Sequence, residues 1–268
     1  MTELPLAADE FYRSVAAYMD AIDPVWEEDR WRSGLAAERA LLRAALGTPI
    51  GRTVLDCSCG TGGQAIPLAQ LGWRVSATDL VASALATTAE RARREGVTIT
   101  TRPGDMRNLG ASDCAQSDVV ISCMALDNIS EDGEIARAIS GTFAARKSGG
   151  RCYLRLRDFD HLLASQPRYE VKEERIVPHG RVIRLEDWTF EETGHAICTY
   201  IFLREDERQV GYPWPTSVFA YRRRALRKEE LTDFLRGAGF GPITFLPQRS
   251  PWVPYEVIAE KPFLWGER

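Results

Sequence analysis

Four short apolar runs in the first half of the chain each lead into a polar group. Asp56, Asp79 and Asp105 follow three of these runs, and the loop that begins at Met124 follows the fourth. Parallel strands place their carboxyl ends on one edge of a sheet, so we expect these groups to lie together. Asp79 stands 19 positions after Gly60, a spacing typical of an acid that binds a ribose, and Asp105 can accept a hydrogen bond from the amine of adenine. The pattern predicts a nucleoside pocket.

A glycine-rich turn joins the first of these strands to a helix. It contains Gly60, Gly62 and Gly63, and glycine lets the backbone approach a ligand closely. No Lys-Ser/Thr pair follows, so the turn is not a phosphate-binding loop. Ala65 stands where a dinucleotide fingerprint has its third glycine, so that fingerprint is incomplete.

This ordered set resembles the class I S-adenosylmethionine-dependent methyltransferases over roughly residues 50–160. The run Asp-x-x-Cys-Gly-Thr-Gly at 56–62 is similar to their first motif, Asp79 to their ribose acid and Asp105-Met106 to their adenine contact. The resemblance implies a doubly wound sheet and a methyl donor in place of a nicotinamide. The donor contacts that it implies are Asp56, Cys57, Gly60, Gly62, Asp79, Leu80, Asp105, Met106 and the backbone of Met124.

Two segments are candidates for holding the methyl acceptor. After the fourth strand, Asp127 or Asn128 contacts the substrate, or this loop caps the next helix with Ser130 or Asp132 as its N-cap. At the end of the fifth strand, Arg157 clamps a carboxylate or pairs with a neighbouring aspartate.

The N-terminal segment supplies a third group of candidates. Tyr12 would contact the acceptor and Tyr18 would act in catalysis if this segment forms a lid; otherwise both tyrosines pack in the core. Trp26 is a candidate donor contact. Arg32 binds the carboxylate of the donor or pairs with Glu28.

Methyl transfer needs an aligned acceptor and the exclusion of water, but no covalent nucleophile from the protein. A phenol or an acid gains more from a base than an amine does, and His161, near the predicted mouth of the pocket, is the candidate. His, Asp and Glu do not cluster at metal-ligand spacing, and the cysteines lack a Cys-x-x-Cys pair. No metal site is predicted.

A narrower resemblance links the N-terminal tryptophan, the loop after the fourth strand and the run at 157–160 to glycine N-methyltransferase and related bacterial small-molecule N-methyltransferases. Several of those act on amines in antibiotic biosynthesis. The resemblance implies that Arg157 binds a substrate carboxylate and that Trp26 and Arg32 contact the donor. The loop Ala-Leu-Asp-Asn-Ile-Ser lacks the His or Phe found in many relatives, so it does not name the substrate.

Strands that alternate with helices position these groups. Five such strands over about 100 residues predict a parallel sheet with right-handed crossovers. A meander at 169–222 would be inserted after the fifth strand and cover the donor edge, and two last strands would close the sheet. The predicted fold is α/β: a doubly wound, Rossmann-like, seven-stranded and mostly parallel sheet with an inserted antiparallel β cap and an N-terminal helical lid. The predicted helices span 8–22, 33–46, 64–71, 81–95, 132–145 and 227–238.

We predict a single domain over residues 1–268. Its parts would be an N-terminal lid at 1–32, a donor-binding core at 33–160, the inserted cap at 169–222 and the end of the core sheet at 223–268.

Composition excludes several classes of protein. The formal charge of −4 gives no general attraction to nucleic acid or to anionic lipid. No apolar run reaches the roughly 18 residues of a membrane span, and the first residues lack the features of a signal peptide. We expect a cytoplasmic protein, and the sequence is compatible with a homo-oligomer.

The combined pattern favours an S-adenosylmethionine-dependent methyltransferase that methylates the amine nitrogen of a small polar molecule and releases S-adenosylhomocysteine. The alternative among enzymes is O-methylation of a small phenol or acid. The alternative of another class is a non-catalytic nucleoside sensor.

Overall fold

The computed structural model describes residues 5–22, 26–49, 51–110, 117–177, 180–205, 214–248, 250 and 253–262. The α-helices in this part of the chain are α1 Ala8–Ile22, α2 Trp26–Leu46, α3 Ala65–Gln70, α4 Ala82–Arg94, α5 Asp132–Ala144, α6 Phe159–Ser165 and α7 Lys228–Gly237. The strands are β1 Thr53–Asp56, β2 Arg74–Asp79, β3 Ile99–Pro103, β4 Ser117–Cys123, β5 Arg146–Leu156, β6 Tyr169–Val177, β7 Gly180–Glu191, β8 His195–Arg204, β9 Thr216–Arg224, β10 Ile243–Phe245 and β11 Tyr255–Glu260.

The chain folds as two compact units. The parallel unit consists of Trp31–Asp158 and Leu226–Arg268, and the antiparallel unit consists of Met1–Arg30 and Phe159–Ala225.

The parallel unit is built on a seven-stranded sheet in the order β10-β11-β5-β4-β1-β2-β3. β1 to β5 pair in parallel, and β11 pairs antiparallel with both β5 and β10. The chain runs outward from β1 to β3 and then returns to β4 on the other side of β1, so the order of the strands reverses between β1 and β4. In a doubly wound sheet, this reversal marks the crevice that binds ligands.

The antiparallel unit is a four-stranded sheet in the order β6-β7-β8-β9. Buried and half-buried residues alternate along β7 and β8, as expected of strands with one face in a core. α1 supplies Phe11, Val15 and Met19 to this core, and α6 supplies Phe159 and Leu162. One face of the sheet is therefore covered by helices of its own unit.

The predicted fold class is confirmed. The seven-stranded, mostly parallel sheet is present, and an antiparallel meander follows β5. The four strands of the meander lie between residues 169 and 224, close to the predicted 169–222, because turn residues separate their apolar alternations clearly. The predicted helices at 8–22, 64–71, 81–95, 132–145 and 227–238 also form, with ends that differ by at most one residue.

Three boundary predictions are wrong. α2 begins at Trp26 instead of residue 33, since the acidic residues of its first turn favour a helix N-terminus. The run Ser148-Gly149-Gly150 predicts a turn but lies inside β5. There a Cβ on Gly150 would lie 2.9 Å from the carbonyl oxygen of Lys147, so glycine marks a close backbone approach instead of a turn. The N-cap of α5 is Glu131, not Ser130 or Asp132.

None of the described helices is long and apolar enough to cross a membrane.

Candidate active site

The carboxyl ends of β1 to β4 share one edge of the parallel sheet, as predicted. The parallel registers align Asp56 with Ala77 and with Ile121, and they align Asp79 with Pro103. The polar groups that follow these strands therefore lie along one crevice, which is the candidate active site.

Asp56 ends β1 and is only 1% exposed. Its Oδ1 accepts a hydrogen bond of 3.3 Å from the Ser58 amide, whereas its Oδ2 is buried and has no hydrogen-bond partner among the described residues. Burial raises the pKa of this carboxyl to about 7, and the negative charges of Asp79 and Glu38 act in the same direction. Asp56 thus brings an unsatisfied acceptor to the edge.

The glycine-rich turn needs glycine at two positions. Gly60 and Gly62 have φ values of +51° and +90°, a region that side chains disfavour. A Cβ on Gly62 would lie 2.8 Å from Cδ1 of Ile66. Arg91 holds the turn from α4, because its Nη1 donates to the Thr61 carbonyl at 3.0 Å. Cys57 is buried, and its Sγ donates to the Ile121 carbonyl at 3.2 Å, so its side chain serves the strand packing.

Asp79, the last residue of β2, is hydrogen-bonded to this turn. Its Oδ2 accepts from the Gly60 amide at 2.8 Å, and its Oδ1 accepts from the Val81 amide at 2.9 Å. A carboxylate has about four acceptor positions, so both oxygens can accept further hydrogen bonds, as binding a ribose requires. The next residue, Leu80, is 56% exposed, which places an apolar surface beside this carboxylate.

The carboxylate of Asp105 is paired with Arg107, two residues further along the chain. Its carboxylate accepts from the amide of Arg107 at 2.8 Å and from the guanidinium at 2.8 to 3.0 Å, and Arg107 also pairs with Glu134. Burial alone would raise the pKa of Asp105, but the hydrogen bonds from Arg107 hold it below its usual value. An adenine amine would have to share this carboxylate with Arg107. Met106 is buried, with its Sδ 3.9 Å from the Ser122 hydroxyl.

The backbone at Met124 is strained where β4 ends. Met124 has a φ of +58°, which is uncommon for a side-chain-bearing residue and is found at functional sites. Its amide donates to the Arg155 carbonyl at 2.8 Å, and its own carbonyl accepts from Nδ2 of Asn128 at 3.0 Å. The Oδ1 of Asn128 is buried and has no hydrogen-bond partner within the described ranges. The loop thus presents both a strained backbone and an unsatisfied amide oxygen.

Two ion pairs follow at the ends of β4 and β5. Arg157 Nη1 lies 3.5 Å from Oδ2 of Asp127, which is fully buried. Asp158 is also buried, and its Oδ2 lies 2.7 Å from Nζ of Lys228. This Nζ is also 3.4 Å from Oε1 of Gln248. Sequence reasoning placed Arg157 and Asp127 here but missed Lys228, which is 70 positions from Asp158 and carries no motif of its own.

A buried cluster around Arg155 was also missed. Its Nη1 lies 2.8 Å from both carboxylate oxygens of Glu38, and its Nη2 lies 2.9 Å from the Tyr153 hydroxyl and 3.2 Å from Glu256. Burial lowers the pKa of this guanidinium, but the charges and hydrogen bonds around it raise the pKa above its usual value. An arginine between apolar neighbours, Leu154 and Leu156, is the sign of this cluster in the sequence.

Four candidate residues belong to the antiparallel unit. The Tyr12 hydroxyl lies 3.0 Å from the hydroxyl of Tyr221, and the ring of Tyr18 packs at 5.0 Å from that of Phe202. His161 lies on α6 and is half-buried. Trp26 begins α2, and its side chain lies outside the described residues. Tyr12 is 38% exposed, whereas Tyr18 packs against the core of this unit. The predicted roles of all four residues in binding or catalysis stay predictions.

Arg32 lies on α2, close to the C-terminal end of α4. Its Nη1 lies 4.0 Å from Glu95, the residue that follows α4. Its guanidinium also approaches the ring of Trp31. The contact of Arg32 with the donor stays a prediction.

Within the described ranges, no three His, Cys, Asp or Glu side chains are grouped so that they could hold a metal ion.

Residues 54–150 match the family model described as a methyltransferase domain. This part of the chain is similar to a methyltransferase domain. It holds β1 to β4, the helices between them and the start of β5, and hence all of the strand ends that form the crevice. The predicted resemblance is confirmed.

A curated relative matches part of the chain. It is a ubiquinone biosynthesis O-methyltransferase of Caulobacter vibrioides (strain ATCC 19089 / CIP 103742 / CB 15), 33% identical over 87 residues. The alignment covers 32% of this chain and 34% of the relative, so the chain spans about a third of the length of that enzyme.

Two solved structures share the fold over nearly the whole chain. One is an amino pentose methyltransferase from Micromonospora echinaspora with S-adenosylmethionine bound, with a TM-score of 0.65 and 17% identity, covering 86% of this chain and 91% of that one. The other is a sugar N-methyltransferase from Streptoalloteichus sp ATCC 53650, with a TM-score of 0.63 and 16% identity, covering 98% and 95%. At these identities the similarity shows the fold.

Proposed function

We propose that this chain is an S-adenosylmethionine-dependent methyltransferase that methylates the amine nitrogen of a small polar molecule. The observation that carries the proposal is the shared carboxyl edge of β1 to β4, where Asp56, the turn at Gly60 to Gly62 and Asp79 converge. The match of residues 54–150 to a methyltransferase domain supports the reaction type.

The residues at this edge fit a nucleoside donor with a charged amino-acid end. Asp79 retains acceptor positions for the ribose, and exposed Leu80 offers an apolar surface to the adenine. The buried, unsatisfied Oδ2 of Asp56 suits the cationic end of the donor. These three residues, with the turn at Gly60 and Gly62, would hold S-adenosylmethionine.

When bound, S-adenosylmethionine supplies an electrophilic methyl group. The protein then needs to hold the acceptor in line and to exclude water, and it forms no covalent bond. Met124 and Asn128 lie in the loop after β4, next to the point where the order of the strands reverses. The hydrogen bond between them stabilises this loop, which would orient the acceptor. Tyr18 and His161 remain our candidates for removing the proton of the acceptor.

The two ion pairs favour a polar acceptor. Asp127 with Arg157 and Asp158 with Lys228 bring two carboxylates and two cations to the ends of β4 and β5. An acceptor with an amine and an anionic or hydroxyl group can exchange hydrogen bonds with such pairs. The amino pentose and sugar N-methyltransferases that share the fold support an amine, and they also support a place in antibiotic biosynthesis.

O-methylation is the second candidate, because the curated relative is an O-methyltransferase and is more similar in sequence than the solved structures. A panel of small amines, amino sugars and phenols with labelled S-adenosylmethionine separates the two. Methylation of amines supports the proposal, and methylation of phenols alone supports the second candidate. Donor binding without any turnover supports a sensor.

Calorimetry tests the donor site. We expect wild-type protein to bind S-adenosylhomocysteine and not NAD. Asp79→Asn should bind at least about tenfold more weakly, because it loses a charged acceptor. Asp233→Asn is the matched control, since Asp233 is exposed on α7, and its affinity should be unchanged. If Asp79→Asn and wild type bind S-adenosylhomocysteine with equal affinity, Asp79 does not contact the donor.

A further inference from the structure

Two buried side chains of α4 hold the glycine-rich turn from one side. Thr88 Oγ1 donates to the Gly60 carbonyl at 2.9 Å, and Arg91 Nη1 donates to the next carbonyl, that of Thr61, at 3.0 Å. Thr88 is fully buried, and Arg91 is 2% exposed. Residues three apart on a helix lie on the same face, so one face of α4 fixes two successive peptide groups of the turn.

These hydrogen bonds determine the direction of the next amide. In a trans peptide the C=O and the N–H point in opposite directions. Because the Gly60 carbonyl faces α4, the Thr61 amide points away from α4. This amide has no hydrogen-bond acceptor among the described residues, and Thr61 is only half-buried. The turn therefore presents an N–H group that a ligand can reach.

The guanidinium of Arg91 is itself held in place. Its central carbon lies 4.6 Å from the centroid of the Trp31 ring, which belongs to a small core cluster with Ile66 and Ala92. A cation over an aromatic face is attracted by the negative potential of the ring, and this attraction compensates in part for the burial of the charge. The hydrogen bond to the turn thus starts from a fixed side chain.

Thr88 contacts the turn in two ways. Its Cγ2 is 3.3 Å from the position that a Cβ on Gly62 would take, so its methyl group packs beside that glycine, while its hydroxyl binds the Gly60 carbonyl. The Sγ of Cys59 lies 3.6 Å from the same carbonyl, but a thiol is a weak donor. The hydroxyl of Thr88 is therefore the stronger donor to this carbonyl.

We propose that Thr88 and Arg91 are positioning residues for donor binding: they hold two carbonyls of the turn toward α4 and so direct the Thr61 amide at an acceptor oxygen of the donor. This role depends on the proposed function, since the donor is S-adenosylmethionine. Glycine allows φ of either sign, so a turn with several glycines needs contacts from outside to select one conformation. α4 supplies them, and a preorganised turn loses less entropy when it binds.

Calorimetry with S-adenosylhomocysteine tests the two contacts of Thr88 separately. Thr88→Val keeps the methyl group beside Gly62 but loses the hydroxyl, so its Kd should rise at least about fivefold. Thr88→Ser keeps the hydroxyl and should bind within about twofold of the wild type. Thr87→Val is the matched control, because the Thr87 hydroxyl donates to the Ser83 carbonyl within α4, and its Kd should be unchanged.

The Arg91 contact has its own pair of variants. Arg91→Met keeps an apolar side chain against Trp31 but loses the hydrogen bond to the turn, so its Kd should also rise at least about fivefold. Arg94→Met, which removes a more exposed arginine of the same helix, should bind as the wild type does. Urea unfolding measures the stability of each variant.

Nuclear magnetic resonance of the donor-free protein gives a readout that does not depend on binding. The amide signal of Thr61 should move in Thr88→Val and return to its wild-type position in Thr88→Ser, because only the hydroxyl fixes this peptide group. In the wild type, S-adenosylhomocysteine should also shift the Thr61 signal.

The possible outcomes separate this proposal from the proposed function. If the wild type binds S-adenosylhomocysteine and both Thr88→Val and Arg91→Met bind it equally well, the proposal is overturned and the function stands. Equal weakening in Thr88→Val and Thr88→Ser would assign Thr88 to packing and also overturn it. A wild type that does not bind S-adenosylhomocysteine overturns both. If Thr88→Val does not fold, Arg91→Met and Arg94→Met decide.

Discussion

At the scale of single residues, buried charge dominates the crevice. Asp56, Glu38, Arg155 and Asp158 are all removed from solvent to a large degree, and each has an ionic or hydrogen-bonding environment that differs from water. Removing one member of such a group leaves another charge buried, which is more costly than the pair is stabilising. We therefore expect the loss of the Arg155 guanidinium to cost more stability than the ion pair contributes.

Asp56 should make the stability depend on pH. Its pKa of about 7 in the folded chain lies above that of an unfolded aspartate, so the folded chain binds the extra proton. The free energy of unfolding should therefore fall as the pH rises through this window, by roughly 2–3 kcal/mol between pH 5 and pH 8. Urea titrations of wild type and Asp56→Asn at both pH values measure the difference, which Asp56→Asn should abolish. An equal pH dependence in both proteins would contradict the raised pKa.

Arg155 should be strongly coupled to Glu38. Arg155→Met should destabilise the protein by about 3–5 kcal/mol, because it leaves two carboxylates without their cation. Adding Glu38→Gln should restore part of this loss, as measured by urea unfolding. Arg93→Met removes an exposed ion pair with Glu90 and serves as the control, with no measurable change expected. Strict additivity of the two buried substitutions would show that the pair is not coupled.

At the scale of elements, the turn between β1 and α3 fixes the spacing of the strand ends. Gly60 and Gly62 adopt left-handed conformations, and the Gly60 amide donates a hydrogen bond to the Asp79 carboxylate at the end of the neighbouring strand. The geometry of the turn and the position of the Asp79 carboxylate are therefore linked.

Gly62→Ala should disturb this link. The added Cβ meets Ile66 in a backbone conformation that alanine disfavours, so we expect a loss of about 1–3 kcal/mol of stability. S-adenosylhomocysteine affinity should fall at least about tenfold if the turn moves. Gly63→Ala, in the same turn, has open space around the added atom and should change neither quantity. Calorimetry measures the affinity, and urea unfolding measures the stability. A Gly62→Ala protein with wild-type affinity would show that the turn does not contribute to donor binding.

Much of the element order was predictable because local patterns determine it. Apolar runs marked β1 and β4, each of which is buried at all positions but one, and alternation with turn residues marked β6 to β9. The site was predictable where a strand end carries a polar residue, as at Asp56 and Asp79. The pairs Asp158 with Lys228 and Arg155 with Glu38 were not, because each joins residues far apart in sequence.

At the scale of the whole molecule, the two units differ in how they are stabilised. β1, β4 and β5 lie in the middle of a sheet and are largely buried, whereas the antiparallel sheet has one face covered by α1 and α6. Their resistance to opening should differ accordingly.

Hydrogen exchange measured in low urea should therefore resolve two sets of amides. We expect those of β6 to β9 to open together and at lower urea than those of β1, β4 and β5. One common opening free energy for all of these strands would contradict the division.

The ion pair between Asp158 and Lys228 stands where the chain leaves the parallel unit and where it returns, with the 67 residues of Phe159–Ala225 in between. One hydrogen bond therefore joins residues at the two ends of the inserted segment. A segment spliced in at one point of a scaffold can be replaced by another of different length without changing the scaffold's own connectivity. Grafting a segment of different length between these two residues should therefore leave the fold of the parallel unit unchanged.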